Sequence, residues 1–210
     1  MLEEGKHLSR FVSDSTQKAV QETTGSGSPD EPKWSVADGT VLVLGVANLD
    51  RYYSGMSEKD VIAYLCDLIK LMISPVSKNQ GMIDNLLGDE IFSIFHGQEP
   101  EGCFLAIQEV FSQLKVFNEE RKTDFSFCAG VSSGMVHSGI IGESSIRISF
   151  TCIGPNVNRA FRFKRFLEKS SGSGILVSET FLKGLPGEKR SLFKDFTSPG
   201  LSEKAWVWIP

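Results

Sequence analysis

The chain has 210 residues, 40% apolar and 23% charged, with a net charge of −4 from intermixed acids and bases. That is the composition of an ordinary soluble globular protein with ample length for one core. No basic stripe favours nucleic acid as the main partner, and no apolar run approaches the ~20 residues that a membrane span requires. Met1 is followed by acids rather than by a signal peptide, so a cytoplasmic location is expected. Cys66, Cys103, Cys128 and Cys152 lie far apart inside apolar segments and read as buried, reduced thiols.

In chain order, residues 1–24 read as a helical lead-in. Leu8, Phe11 and Val12 fall at i, i+3 and i+4, and Ser13 or Asp14 is placed to cap a second helix. Residues 25–39, GSGSPDEPKWSVADG, are rich in Gly, Ser, Pro and Asp without a period and read as a linker. The main domain is expected over 40–210. TVLVLGVANL, continuously apolar and β-branched, predicts a strand buried on both faces. EKDVIAYLCDLIKLMISPV predicts a packed helix with Val61, Tyr64, Leu65, Leu68, Leu71 and Met72 on its stripe.

GMIDNLLGDEIFSIF predicts a hairpin turning at LLGD, where Gly88 can take positive φ. EGCFLAIQEVFSQLKVFNEER predicts a second amphipathic helix. FSFCAGVSSGMVHSGIIG and IRISFTCIG predict strands broken by glycines. PNVNRAFRFKRFLEK predicts a third helix with Pro155 in its first turn. GILVSETFL adds a short strand and helix, and KAWVWI a last strand. Helices interleaved with a mixed sheet predict an α/β sandwich.

The order and spacing of VANLDRYY, MIDNLLGDEIFSIF, GVSSGMVHSGIIG, SFTCIGPNVNRAFR and ILVSETFL resemble the catalytic domain of class III nucleotidyl cyclases, over about residues 38–210. The GD hairpin together with the downstream IGxxVNxAxR pattern is the specific pair. The resemblance implies a ferredoxin-like βαββαβ core, a mainly antiparallel sheet flanked by helices, and an active site shared across a head-to-tail dimer. It also implies ATP or GTP as substrate, with two Mg²⁺ or Mn²⁺ ions. The ribose 3′-hydroxyl would attack the α-phosphorus in line, leaving cyclic nucleotide and pyrophosphate.

Carried over residue by residue, Asp89 matches the family's second metal aspartate; the plainer use of such a turn aspartate is to cap a backbone amide. Asn48 stands at the first metal aspartate, where an amide supplies no charge against two divalent ions. Asp50, two residues on, keeps the same face but sits about 7 Å further along. Asn158 and Arg162 match the ribose-orienting asparagine and the transition-state arginine, four apart on one helical face. The bland alternative is a surface pair on a helix that also carries Arg159, Lys164 and Arg165.

Asn85 replaces the base-reading lysine, and Thr151 stands at its aspartate-or-threonine partner; an amide and a hydroxyl both donate and accept, so they do not choose adenine over guanine. Leu201, with Lys204 nearby, falls near the pyrophosphate lysine, and Arg51 and the tyrosines replace a Gly-Phe-Thr-like turn. Three readings follow. One is a weak or inactive, dimerising regulatory homologue. Another is one half of a heterodimer. The last is a working homodimeric cyclase with an unusual metal site.

Overall fold

The structure is a computed structural model describing residues 34–97, 100–143, 147–170 and 172–210. The lead-in helices expected over 1–24 lie outside the described residues. The first strand, β1, runs Trp34–Val46, so it begins inside the stretch expected to be linker. Its first five residues are exposed and its last eight buried, which is why composition concealed the start. The rest follows in order: α1 Asp50–Tyr53, α2 Glu58–Lys78, β2 Met82–Leu87, β3 Glu90–His96, α3 Pro100–Arg121, β4 Phe127–Glu143, β5 Arg147–Ile153, α4 Pro155–Ser170, β6 Gly174–Ser178, α5 Glu179–Gly184, α6 Gly187–Arg190, β7 Lys194–Phe196 and β8 Ala205–Trp208.

One eight-stranded sheet has the order β2-β3-β1-β4-β6-β8-β7, with β5 pairing β4 off that path. Only β4 and β6 pair in parallel; all other pairs are antiparallel. The run β1-α2-β2-β3-α3-β4, with spatial order β2-β3-β1-β4, is the ferredoxin-like βαββαβ core expected from sequence. Alternation along β1 divides the core. Leu42, Leu44 and Val46 pack with Leu68, Met72 and Val76 of α2 and with the apolar face of α3. Val41 and Val43 turn the other way, onto Val157 and Ala160 of α4. Each such side chain taken from water contributes about 1.5–3 kcal/mol, so β1, covered on both faces, anchors the domain.

The helix stripe on α2 forms as expected. Val61, Leu68 and Met72 are buried, while Tyr64, Leu65 and Leu71 pack at its border. Ser57 caps its start, accepting from the Asp60 amide at 3.2 Å. The hairpin turns at Gly88, whose φ is +72°. Two expectations need correction. Cys66 is exposed on the outward face of α2, whereas Cys103, Cys128 and Cys152 are buried free thiols. And glycines do not break β4, which runs unbroken for 17 residues, because at least one neighbour supplies its ladder at every step: β1 as far as Gly139 and β5 from His137 onward.

Candidate functional site

The strand ends carrying the two candidate metal positions are neighbours. The Val46 amide, at the end of β1, donates to the Asp89 carbonyl in the β2–β3 turn at 3.2 Å. Asn48, however, is engaged on the opposite flank of β1. Its Nδ2 donates to the Asp124 carbonyl at 2.8 Å, and its Oδ1 accepts from the Ser126 amide at 2.9 Å. The Ala47 amide donates to the Ser126 carbonyl at 2.8 Å, continuing the same seam. In the sheet, β3 lies on one side of β1 and β4 on the other, so the Asn48 carboxamide is bonded on the β4 side while Asp89 stands on the β3 side.

Tyr52 completes this seam. Its ring stacks on Phe125 with centroids 3.9 Å apart, and its hydroxyl donates to the Asp124 carboxylate and accepts from the Asp124 amide. Tyr52 thus has an anchoring task, holding the segment before β4, whereas Tyr53 is exposed.

Around Asp89 the electrostatics are crowded. Burial pushes its carboxyl above the usual value; its own backbone amide and Lys164 oppose this, and Glu90 and Glu168 reinforce it. Lys164, on α4, is nearly fully buried; its Nζ donates to Glu90 Oε1 at 2.6 Å and to both oxygens of Glu168 at 3.1 Å.

A pair of divalent ions fits these residues poorly. Both polar atoms of Asn48 are taken by backbone, an ammonium sits beside the Asp89 turn, and the described residues contain no group of three or more His, Cys, Asp or Glu arranged to hold a metal.

Asn158 and Arg162 come together as expected, on one wall of a 630 Å³ cleft that also touches Phe161, Arg165, Phe166 and Lys169. Arg162 donates to Glu203, from the loop before β8, and Arg159 donates to the same carboxylate at 2.5 Å. The two guanidiniums hold the Glu203 carboxyl below its ordinary value although partial burial acts against them. Any phosphate reaching Arg162 must compete with Glu203 for its fork. A smaller space of about 490 Å³ beside that loop is lined by Asp195–Pro199 and Leu201–Trp206, and so takes in Leu201 and Lys204 but neither Asn158 nor Arg162.

Asn85 and Thr151 face different surroundings. Asn85 is exposed, follows an irregularity in the β2–β3 register, and its Oδ1 accepts from the Leu86 amide at 2.9 Å. Thr151 is half-buried on β5, opposite Gly139 of β4.

The residue that sequence reasoning passed over is Asp84. It sits at the irregularity, is buried, and among the described residues its Oδ1 has no hydrogen-bond partner. Burial pushes its carboxyl up to about 6. The Cys152 thiol nearby is pushed up to about 11, first by burial and in part by Asp84, with Ser138 acting the other way. The clue in the sequence was an acid set among Met82, Ile83, Leu86 and Leu87 on a short strand.

A folded carboxyl that holds its proton more tightly than the unfolded one lends stability below the usual carboxylate range and loses it as pH rises through about 6. The shift is worth at most about 3 kcal/mol, and partial contact with water brings it to about 1–2 kcal/mol. Denaturation of Asp84→Asn beside the parent at pH 4 and pH 7.5 is expected to show the variant gaining that difference at the higher pH. Parallel curves would contradict it.

Comparison with solved structures places the architecture. A bacterial light-regulated adenylyl cyclase superposes with a TM-score of 0.82 at 12% identity, covering 99% of this chain and 61% of that one. The adenylyl cyclase CyaB from P. aeruginosa gives 0.68 at 18% identity, covering 85% of this chain and 96% of that one. This is the fold of the class III nucleotidyl cyclase catalytic domain.

The guanylate cyclase domain of RhGC from Catenaria anguillulae, solved in complex with GTP, carries the same cyclase fold at a TM-score of 0.67 and 18% identity, over 85% of this chain and 98% of that domain. In sequence, an adenylate cyclase from Anabaena cylindrica is 30% identical over 147 residues, 64% of this chain. The chain spans only 29% of the length of that curated relative. No family model matches the chain. No helix among the described residues is long and apolar enough to cross a membrane.

Proposed function

We propose that this cyclase homology domain is weak or inactive in forming 3′,5′-cyclic nucleotide. It acts as a dimerising, cytoplasmic regulatory module that binds ATP or GTP. The observation that carries the reading is the state of Asn48: it brings no charge to the first metal position, and its carboxamide is tied at both ends to the backbone of Asp124 and Ser126. Losing a carboxylate that would touch the metal itself costs more than the roughly 10–100-fold typical of a residue that only supports a ligand. Retention of Asn158 and Arg162 on one cleft wall supports nucleotide contact surviving the loss of the metal pair.

The test is direct. The purified chain, incubated with ATP or GTP and Mn²⁺, is expected to give no cyclic product above the protein-free background, while calorimetry with a non-hydrolysable analogue gives saturable micromolar binding. Robust turnover that Asp89→Ala abolishes would overturn the assignment. Absence of binding would leave a protein-interaction role in place of a nucleotide sensor.

A second reading, one half of a heterodimer, is favoured by the same cleft, since Asn158 and Arg162 are the residues that family members contribute to a partner's site. Its check is complementation. Mixing the chain with an active cyclase domain whose own arginine has been replaced by alanine restores product under this reading, and leaves it absent under the first.

A further inference from the structure

Lys164 is an unusual investment. Long basic residues normally keep their charge in water, yet this side chain is 3% exposed. Gly45 of β1 makes room for its stem, and Gly130 of β4 lets the backbone of its helix lie close against the sheet. A β-carbon on Gly45 would lie 3.2 Å from Lys164 Cε and 3.3 Å from the Asp89 carbonyl, and one on Gly130 would lie 2.5 Å from the Lys164 amide. The lysine stem and the Asp89 turn therefore press on the same point of β1.

Burial pulls the amine down, but neighbouring groups more than offset it and leave the Lys164 ammonium above its ordinary value. Cys128 lies beside it, but its thiol is pushed up to about 12 and is neutral where Lys164 is charged, so Glu90 and Glu168 supply the compensation.

Two glutamates from different elements, β3 and α4, converge on one ammonium next to the turn that carries Asp89. We infer that Lys164 is the resident cation of this site: a tethered ammonium holds the place of a divalent ion beside Asp89, and the turn binds neither Mg²⁺ nor Mn²⁺. The inference rests on reading the Asp89 turn as the metal position of a cyclase-like site. It does not depend on nucleotide binding. The ammonium costs no external ion to recruit, satisfies carboxyls that would otherwise repel one another, and screens the charge that attracts a metal. It also ties α4, the helix of Asn158 and Arg162, to the β2–β3 hairpin through a charged clamp.

The test uses the metal alone. Mn²⁺ is titrated into the intact chain at neutral pH, followed by electron paramagnetic resonance of free Mn²⁺ and by the ¹⁵N resonance of the Lys164 ammonium. Expected are no saturable site up to about 1 mM and no broadening of Lys164 beyond that of exposed Lys70. Lys164→Gln, which removes the charge and leaves the carboxyls, is expected to strengthen Mn²⁺ binding at least about tenfold, an increase that a further Asp89→Asn change removes.

Micromolar Mn²⁺ binding by the parent chain, lost in Asp89→Asn, would overturn the inference. So would a folded Lys164→Gln chain no better at binding Mn²⁺ than the parent. Should that variant fail to fold, the parent titration and the lysine resonance still decide. Nucleotide calorimetry on the same sample separates this outcome from failure of the cyclase reading, because a chain that binds no nucleotide and no Mn²⁺ sinks only the latter.

Discussion

Gly130→Ala is expected to destabilise the domain by more than about 3 kcal/mol, among the most disruptive single methyl additions the fold admits. Gly130 lies in the buried part of β4, paired with Val43 of β1 on one side and Leu176 of β6 on the other. A β-carbon there would sit 1.9 Å from the Ala160 carbonyl oxygen and 2.5 Å from the Lys164 amide nitrogen. Both are backbone atoms in the middle of α4, so no side chain can rotate aside. The helix must move off the sheet or the strand must bow, and strand β4 is clamped by ladders to both neighbours. Movement of α4 opens the packing of Val157 and Ala160 on Val41 and Val43.

Urea denaturation measures the loss, and Gly55→Ala supplies the control: nothing lies within 4 Å of its added carbon, so its stability should change by less than about 0.5 kcal/mol. Equal midpoints for the two variants would show that α4 is held more loosely than these distances require. The functional consequence follows from the same geometry. Asn158, Arg162 and Lys164 all ride on α4, so a variant that folds with the helix displaced should lose nucleotide binding as well as stability.

What could be read in the sequence follows from how local each feature is. Alternating and continuous apolar runs marked β1, α2 and α3, and Gly88 with Asp89 marked the hairpin, because each signal lies within a few residues of its effect. Asn158 and Arg162 were legible as a pair because helical spacing alone puts them on one face. The partners of Asn48 were not legible: they sit 76 and 78 residues away, across the sheet, and nothing in VANLDRYY names them.

Lys164 was hidden for a different reason. Among Arg159, Arg162 and Arg165 it reads as one more charge on a solvated helix, and only the fold, which sets its stem against Gly45 and its ammonium against Glu90, reveals that it points inward. Asp84 was masked by its own strand, since hydropathy marks an acid there as outward-facing until a register irregularity turns it in. The short elements α1, α6 and β7 carry too few residues for any period to register.

Restoring the family's aspartate is expected to harm this chain. In Asn48→Asp the Oδ1 contact to the Ser126 amide can persist, but the donor to the Asp124 carbonyl, now 2.8 Å long, becomes a second anionic oxygen facing a carbonyl oxygen. The Asp124 carboxylate, already accepting from Tyr52, lies on the same segment and adds like-charge repulsion. Losing the hydrogen bond and gaining an acceptor–acceptor contact costs about 2–3 kcal/mol, moderated by partial exposure of the site.

The side chain can escape the clash only by leaving the β4 side of β1. That releases the Asp124–Ser126 segment from its seam and weakens the Tyr52–Phe125 stack. On the β3 side it would arrive where Lys164, Glu90 and Glu168 already balance one another around Asp89, adding a negative charge without freeing any existing carboxylate for metal. Thermal denaturation is therefore expected to show a lower Tm for Asn48→Asp, and the cyclic-nucleotide assay no gain in product. Asn48→Asp combined with Lys164→Gln is the change that supplies two free acids at neighbouring strand ends. If the single substitution alone produced a stable, active cyclase, one amide would have been all that separated this chain from catalysis, and the ammonium clamp on α4 would be incidental to the loss.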